Sequence, residues 1–140
     1  MDQRISFVTL AVTDLDASRR FYLDGLGWAA DLDVPGDVVM VRVGQHVVLS
    51  LWQREHFEAE VGRIGWRPGD GVAPFTLAHN VPTTDEVDVV LATARAAGAE
   101  PVHAAEQREW GGYTGYFGDP DGYRWEVAHN PGPIGQVVLP

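Results

Sequence analysis

Phe117-Gly118-Asp119-Pro120-Asp121-Gly122-Tyr123-Arg124-Trp125-Glu126-Val127 is the stretch from which the architecture can be read. Asp-Pro-Asp-Gly is a tight turn: proline holds φ near its helical value, and glycine takes a conformation closed to bulky side chains. Alternation beyond the turn sends Arg124, Glu126 and Ala128 to one face of a strand and Trp125 and Val127 to the other. The apolar pair belongs against a helix layer, which leaves Glu126 on the open face. The strand running into the turn, Gly112 to Phe117, and the strand leaving it, Tyr123 to His129, therefore make a hairpin.

Working back from this hairpin, Pro101 to Ala104 reads as a further strand. Val87, Val90, Leu91 and Ala94 form an apolar stripe on a helix that closes at Gly98. Thr83 with Glu86 three residues on is a capping box for that helix, and Phe75 to Val81 is the strand before it. The same order occupies the first half. Ile5 to Val12 is a strand, and Asp14 stands at an N-cap position. Leu15, Ser18, Phe21 and Tyr22 follow at helical spacing, stopped by Gly25 and Gly27. Trp28 to Leu32, Val38 to Val43 and His46 to Trp52 read as three strands, with Pro35-Gly36 and Gly44-Gln45 as turns. Superposing Val12 on Val81 carries Asp14 onto Thr83, cap onto cap, and Phe7 onto Thr76. A supersecondary unit repeated along the chain is strong evidence of architecture.

Two stretches carry a family resemblance. Val12-Thr13-Asp14-Leu15-Asp16-Ala17-Ser18-Arg19-Arg20-Phe21-Tyr22 resembles the opening strand and helix of the glyoxalase/bleomycin-resistance/dioxygenase superfamily, also called the vicinal oxygen chelate superfamily. The stretch from Phe117 to Val127 resembles its closing hairpin. The resemblance implies an α+β fold of two tandem βαβββ modules, whose curved mixed sheets enclose a ligand cleft. It gives one glyoxalase-like domain over 1–140, with module one at about 4–53, a linker at about 54–73 and module two at about 74–131. Connections this long in compact domains are often functional, so the linker is either a lid over a site or plain disorder.

In metal-using members of the superfamily, ligands project from the first and last strands of each module and a divalent ion stabilises developing negative charge. Carried over position by position, these places fall on Phe7, Ser50, Thr76 and Glu126. Only Glu126 is a good ligand, and one carboxylate with two hydroxyls does not hold a transition metal. No metal or other cofactor is expected. His79 is turned by alternation towards the helices, and His46, His56, His103 and His129 read as exposed or locally satisfied.

Glu126 supports two readings: a general base or hydrogen-bond acceptor for a ligand, and a structural partner of Arg124 or Arg108. Trp110 to Phe117 is rich in glycine and aromatic residues, which allows backbone to approach a ligand beside flat apolar walls. Trp52, Trp110 and Tyr113 are expected to line a pocket, with ordinary core packing as the alternative. Thr76 and Asn80 share the open face with Glu126.

The formal net charge of −10 repels phosphate backbones and anionic lipid, which argues against nucleic acid and membranes as partners. It suits a cationic ligand. With no cysteine there is no disulfide framework, no thiolate zinc site and no thiol nucleophile. Met1-Asp2-Gln3-Arg4 leads into a strand-like run without a signal-peptide core, and no apolar stretch is long enough to cross a bilayer. A cytoplasmic location is expected, and by resemblance a homodimer. The functional expectation is a metal-free small-molecule binding protein, for an aromatic or cationic ligand. The rival is a metal-dependent lyase, isomerase or ring-cleaving dioxygenase with Glu126 as catalytic residue.

Overall fold

A computed structural model describes residues 1, 3–67 and 69–139; Asp2, Pro68 of the expected linker and Pro140 lie outside the described residues. The chain divides into two compact units, Met1–Arg67 and Pro68–Pro140. The divide falls inside the segment read as a linker.

In the first unit, β1 (Phe7–Val12) is followed by α1 (Leu15–Arg19), whose last turn widens into a π-helical segment over Arg20–Gly25. The strands β2 (Leu32–Val34), β3 (Val38–Gly44) and β4 (Val47–Gln53) complete the module. They form one sheet of order β1-β4-β3-β2, with β1 parallel to β4 and the other pairs antiparallel. Asp14 caps α1 as expected, its Oδ1 accepting the Ala17 N–H at 2.9 Å. Leu10, Val12, Val39, Val41, Leu49 and Leu51 are all buried, and α1 lies against β3 and β4. Phe21 and Tyr22, edge to face at 5.1 Å, are buried with them. Burial of this kind contributes about 1.5–3 kcal/mol per large apolar side chain.

The second unit repeats the order: β5 (Thr76–Asn80), α3 (Thr84–Ala96), β6 (Val102–Gln107), β7 (Tyr113–Gly118) and β8 (Arg124–His129). Its sheet order, β5-β8-β7-β6, is the same path through the strands, again with its first and last strands parallel. The Thr83 hydroxyl accepts the Glu86 N–H at 3.3 Å. Val87, Leu91 and Ala94 of α3 meet the side of the sheet that carries Phe117, Trp125 and Val127. The rings of Phe117 and Trp125 stack 6.1 Å apart. The turn between β7 and β8 is held by Asp119, whose Oδ1 accepts the N–H groups of Asp121 and Tyr123, and Gly122 there has φ +86°. A short C-terminal α4 (Pro133–Val137) follows.

Three segments differ from the sequence reading. Residues 28–31 are not a strand, and β2 starts only at Leu32. The N–H of Trp28 still bonds the Tyr22 carbonyl and its ring packs on Tyr22 at 5.4 Å, so the chain is occupied closing the helix. The strand after α3 runs on to Gln107, because an irregularity between His103 and Glu106 restores its pairing with β7. The linker contains a helix, α2 (Arg54–Glu60), supported by an Arg54–Glu58 pair one turn apart at 3.1 Å. Arg54 also donates to the Trp66 carbonyl at 2.8 Å, and Glu58 accepts from the Ile64 N–H, which folds residues 61–67 back on the helix.

Candidate functional site

The β7–β8 hairpin decides what stands beside Glu126. Pairing outward from the turn places Phe117 opposite Trp125 on the helix side and Tyr116 opposite Glu126 on the other. Thr114 faces the same way as Tyr116, and the β6 irregularity brings Glu106 opposite Thr114. The Tyr116 hydroxyl donates to Glu126 Oε1 at 3.2 Å. Burial pushes the Tyr116 phenol up from its ordinary value and the charge on Glu126 adds to the rise, while Arg108 and the Thr114 hydroxyl oppose it.

Arg108, at the end of β6, completes the group. Its Nε donates to Thr114 Oγ1 at 2.7 Å and its Nη2 to the Thr114 carbonyl at 3.4 Å. Nη1 pairs with Glu106 at 2.5 Å, and the guanidinium lies 6.0 Å from the centre of the Tyr116 ring. One cation, two carboxylates, a phenol and a hydroxyl thus share one face of the second sheet. The arrangement can accept a hydrogen bond from a ligand at Glu126 and hold a proton at the Tyr116 hydroxyl.

Thr76 and Asn80 stand on this face, in register with Arg124 and Ala128, but the residue directly beside Glu126 on β5 is Ala78. Tyr113 does not join them. It projects to the helix side, where its hydroxyl donates to Asp88 of α3 at 3.1 Å. Trp110, 56% exposed, lies in the loop after Arg108 with its ring over Gly112, a position where a Cβ would collide with the indole. His79 shares its side of the sheet with Val127, as alternation requires.

The remaining sequence-derived residues belong to the first unit. Phe7, Ser50 and Trp52 point to one face, since Ser50 is opposite Thr9 and Met40, and Trp52 opposite Ala11 and Val38. Ser50 is buried and Phe7 exposed. The Trp52 indole donates to Asp37 Oδ1 at 3.1 Å, and the Nδ1 of His56 on α2 lies 2.7 Å from the same oxygen. Trp52 and Phe57 meet edge to face at 5.9 Å.

Tyr116 and Thr114 were not singled out from the sequence, and Arg108, read there as a candidate direct partner of Glu126, instead reaches Thr114 and the Tyr116 ring. Tyr116 was within reach: the Asp119 N–H bonds the Tyr123 carbonyl across the turn at 3.1 Å, and three residues out from these two stand Tyr116 and Glu126. Arg108 and Thr114 needed the loop geometry, in which the Arg108 N–H bonds the Gly112 carbonyl at 2.7 Å.

The donor set does not fit a divalent metal. Around Glu126 the sheet supplies a phenol and an alanine methyl, and around Ser50 a threonine and a methionine. Among the described residues no three His, Cys, Asp or Glu side chains converge to hold an ion.

Comparison with known proteins agrees with the architecture. Residues 4–127 match the family model of the Glyoxalase/Bleomycin resistance protein/Dioxygenase superfamily. A glyoxalase-related enzyme from Fulvimarina pelagi is similar at 34% identity and a TM-score of 0.82, over 92% of this chain and 89% of that one. A glyoxalase/bleomycin resistance protein/dioxygenase from Nocardioides shares 26% identity with a TM-score of 0.74, over 94% and 89% of the two chains. Lactoylglutathione lyase from Agrobacterium tumefaciens is similar at 25% identity and a TM-score of 0.69, over 93% and 96%. None of the curated proteins matches the chain. The chain belongs to the glyoxalase/bleomycin resistance/dioxygenase superfamily.

Proposed function

We propose that this member of the superfamily binds a small aromatic or cationic molecule without a metal, with Glu126 as its recognition point. The observation that carries the reading is the Tyr116–Glu126 hydrogen bond on the side of the sheet away from α3. A carboxylate oriented by a phenol presents its remaining lone pairs in a defined direction, and a charge-assisted bond from an ammonium or amidinium is the strongest use of them. The net charge of −10 raises the local concentration of cations. Thr76 and Asn80 offer further polar contacts on the same face, and Trp110 and, in the first unit, Phe7, Ser50 and Trp52 are proposed ligand residues, whereas Tyr113 is engaged by Asp88 on the helix side. The molecule is further proposed to be a cytoplasmic homodimer, which cell fractionation and sedimentation test. Among the described residues no helix is long and apolar enough to cross a membrane.

Calorimetric titration with benzamidine, benzylamine and benzoate tests the central claim. Binding of the two cations in preference to the anion, with a loss of about tenfold or more in Glu126→Gln, is the expected result. Equal binding of all three probes, or an unaffected variant, would overturn it. Elemental analysis returning one divalent metal per chain would overturn the metal-free part.

The likeness to lactoylglutathione lyase favours a second reading, a lyase or isomerase in which Tyr116 and Glu126 pass a proton. Turnover abolished in both Tyr116→Phe and Glu126→Gln, with binding retained in Tyr116→Phe, would establish it.

A further inference from the structure

We infer that Arg108 is a positioning residue for the Glu126 recognition point, acting through Tyr116 and anchored by the buried Thr114; the inference rests on the binding role proposed for Glu126. Thr114 is a polar side chain only 1% exposed, on the face of the sheet away from α3. An unused hydroxyl in such a place is costly, and here Arg108 Nε donates to it at 2.7 Å. The Thr114 carbonyl accepts from the same guanidinium, and Glu106 holds its other arm at 2.5 Å. The guanidinium is therefore gripped on two sides before it meets the Tyr116 ring.

Tyr116 in turn is held at its ring and at its hydroxyl, which the Thr114 hydroxyl also meets. The guanidinium lies 6.0 Å from its ring centre, and its hydroxyl donates to Glu126 Oε1 at 3.2 Å. The path of constraint runs from the backbone-bound loop at Arg108 and Gly112, through the clamp on Thr114, to the ring and then the carboxylate. The planar fork meets the Thr114 hydroxyl, the Thr114 carbonyl and Glu106 through three separate nitrogens, an arrangement that the single nitrogen of a lysine ammonium does not reproduce, so charge alone does not replace it.

This role has a sign that simple electrostatics does not share. Arg108 carries the same charge as the proposed ligand, so if it acted only as a nearby cation its loss would tighten binding of benzamidine. As a positioning residue its loss weakens binding, because the phenol and the carboxylate are no longer held in one geometry.

Benzamidine titration of Arg108→Gln, Arg108→Lys, Thr114→Val and the Arg108→Gln/Thr114→Val double variant tests the inference. Each single variant is expected to lose about threefold to tenfold in affinity, and the double variant no more than the worse single one. The alkaline absorbance titration of Tyr116, taken as the difference from Tyr116→Phe, is expected to move upward in Arg108→Gln and Thr114→Val. Loss of fold alone would expose the phenol and bring that midpoint down towards its ordinary value, the opposite direction. Tighter benzamidine binding by Arg108→Gln, full recovery by Arg108→Lys, or additive losses in the double variant would each overturn the inference. Glu126→Gln is the control that separates the two claims. If it binds as wild type, the recognition point itself is wrong; if it fails while the Arg108 variants bind normally, only the role of Arg108 falls.

Discussion

Leu91 of α3 reaches the sheet where Gly115 of β7 has no side chain, and a Cβ built on Gly115 would meet Leu91 Cδ1 at 2.5 Å. The same Cβ would lie 2.9 Å from the His103 carbonyl oxygen, so neither the helix nor the neighbouring strand can yield alone. Gly115→Ala is expected to destabilise the protein by about 1–3 kcal/mol, the usual cost of overpacking. Chemical denaturation measures it. Because Tyr116 and Glu126 sit on the two strands this contact supports, the substitution should also weaken ligand binding.

The two helix caps predict a matched pair of losses. Asp14→Ala removes the acceptor of the Ala17 N–H, and Thr83→Ala that of the Glu86 N–H. Each is expected to cost about 0.5–2 kcal/mol by thermal or denaturant unfolding. Equal stability of either variant with wild type would show that the cap is dispensable in that unit.

The Tyr116 phenol provides an optical test of its surroundings. Burial is the first cause of its raised value and Glu126 the second, so Glu126→Gln should bring its alkaline midpoint down but not to the ordinary value. A midpoint that stays where it was would mean that Tyr116 and Glu126 are not bonded in solution.

Acid stability should depend on the cluster at Asp37. The contact with His56 is the main cause that lowers the Asp37 carboxyl below the ordinary carboxylate range, and the Trp52 indole adds to it. A carboxyl lowered by folding stabilises the protein above its unfolded value of about 3.9 and loses that contribution as pH falls through the lower folded value. His56→Ala should therefore lower the melting temperature slightly above the carboxylate range, where the contribution is present, and converge on wild type in acid, where it is already lost, so that the acid limb is flattened. The pair is exposed, so the effect is small.

The turn before β8 is expected to be intolerant. Asp119 is buried and accepts two backbone N–H groups, which Asp119→Ala would leave without that acceptor, at about 1–3 kcal/mol. Denaturant unfolding measures it, and Asp119→Asn should recover part of the loss.

Much of this molecule was written locally. Caps at Asp14 and Thr83, the turn at Asp119 to Gly122, and the alternation that separates Glu126 from Trp125 and Val127 depend on residues within a few positions of one another. Sequence alone was therefore sufficient for the repeated module and for the side of the strand on which Glu126 stands. The short β2 was misread because Trp28, although a good strand former, still takes part in closing the helix through Tyr22. The α2 helix was missed among the glycines that follow it.

The partners of Glu126 were of another kind. That Tyr116 rather than Arg124 or Arg108 bonds it follows from hairpin register, and that Arg108 grips Thr114 follows from a strand irregularity and a loop that folds back on itself. Tyr113 and Tyr116 are equally aromatic and three residues apart, yet one bonds a helix carboxylate and the other the site carboxylate. Local preference settles which elements form and which side each residue takes, because those energies arise between near neighbours. Which two side chains meet across strands is decided only when the sheet is assembled, since a single step in register exchanges every partner.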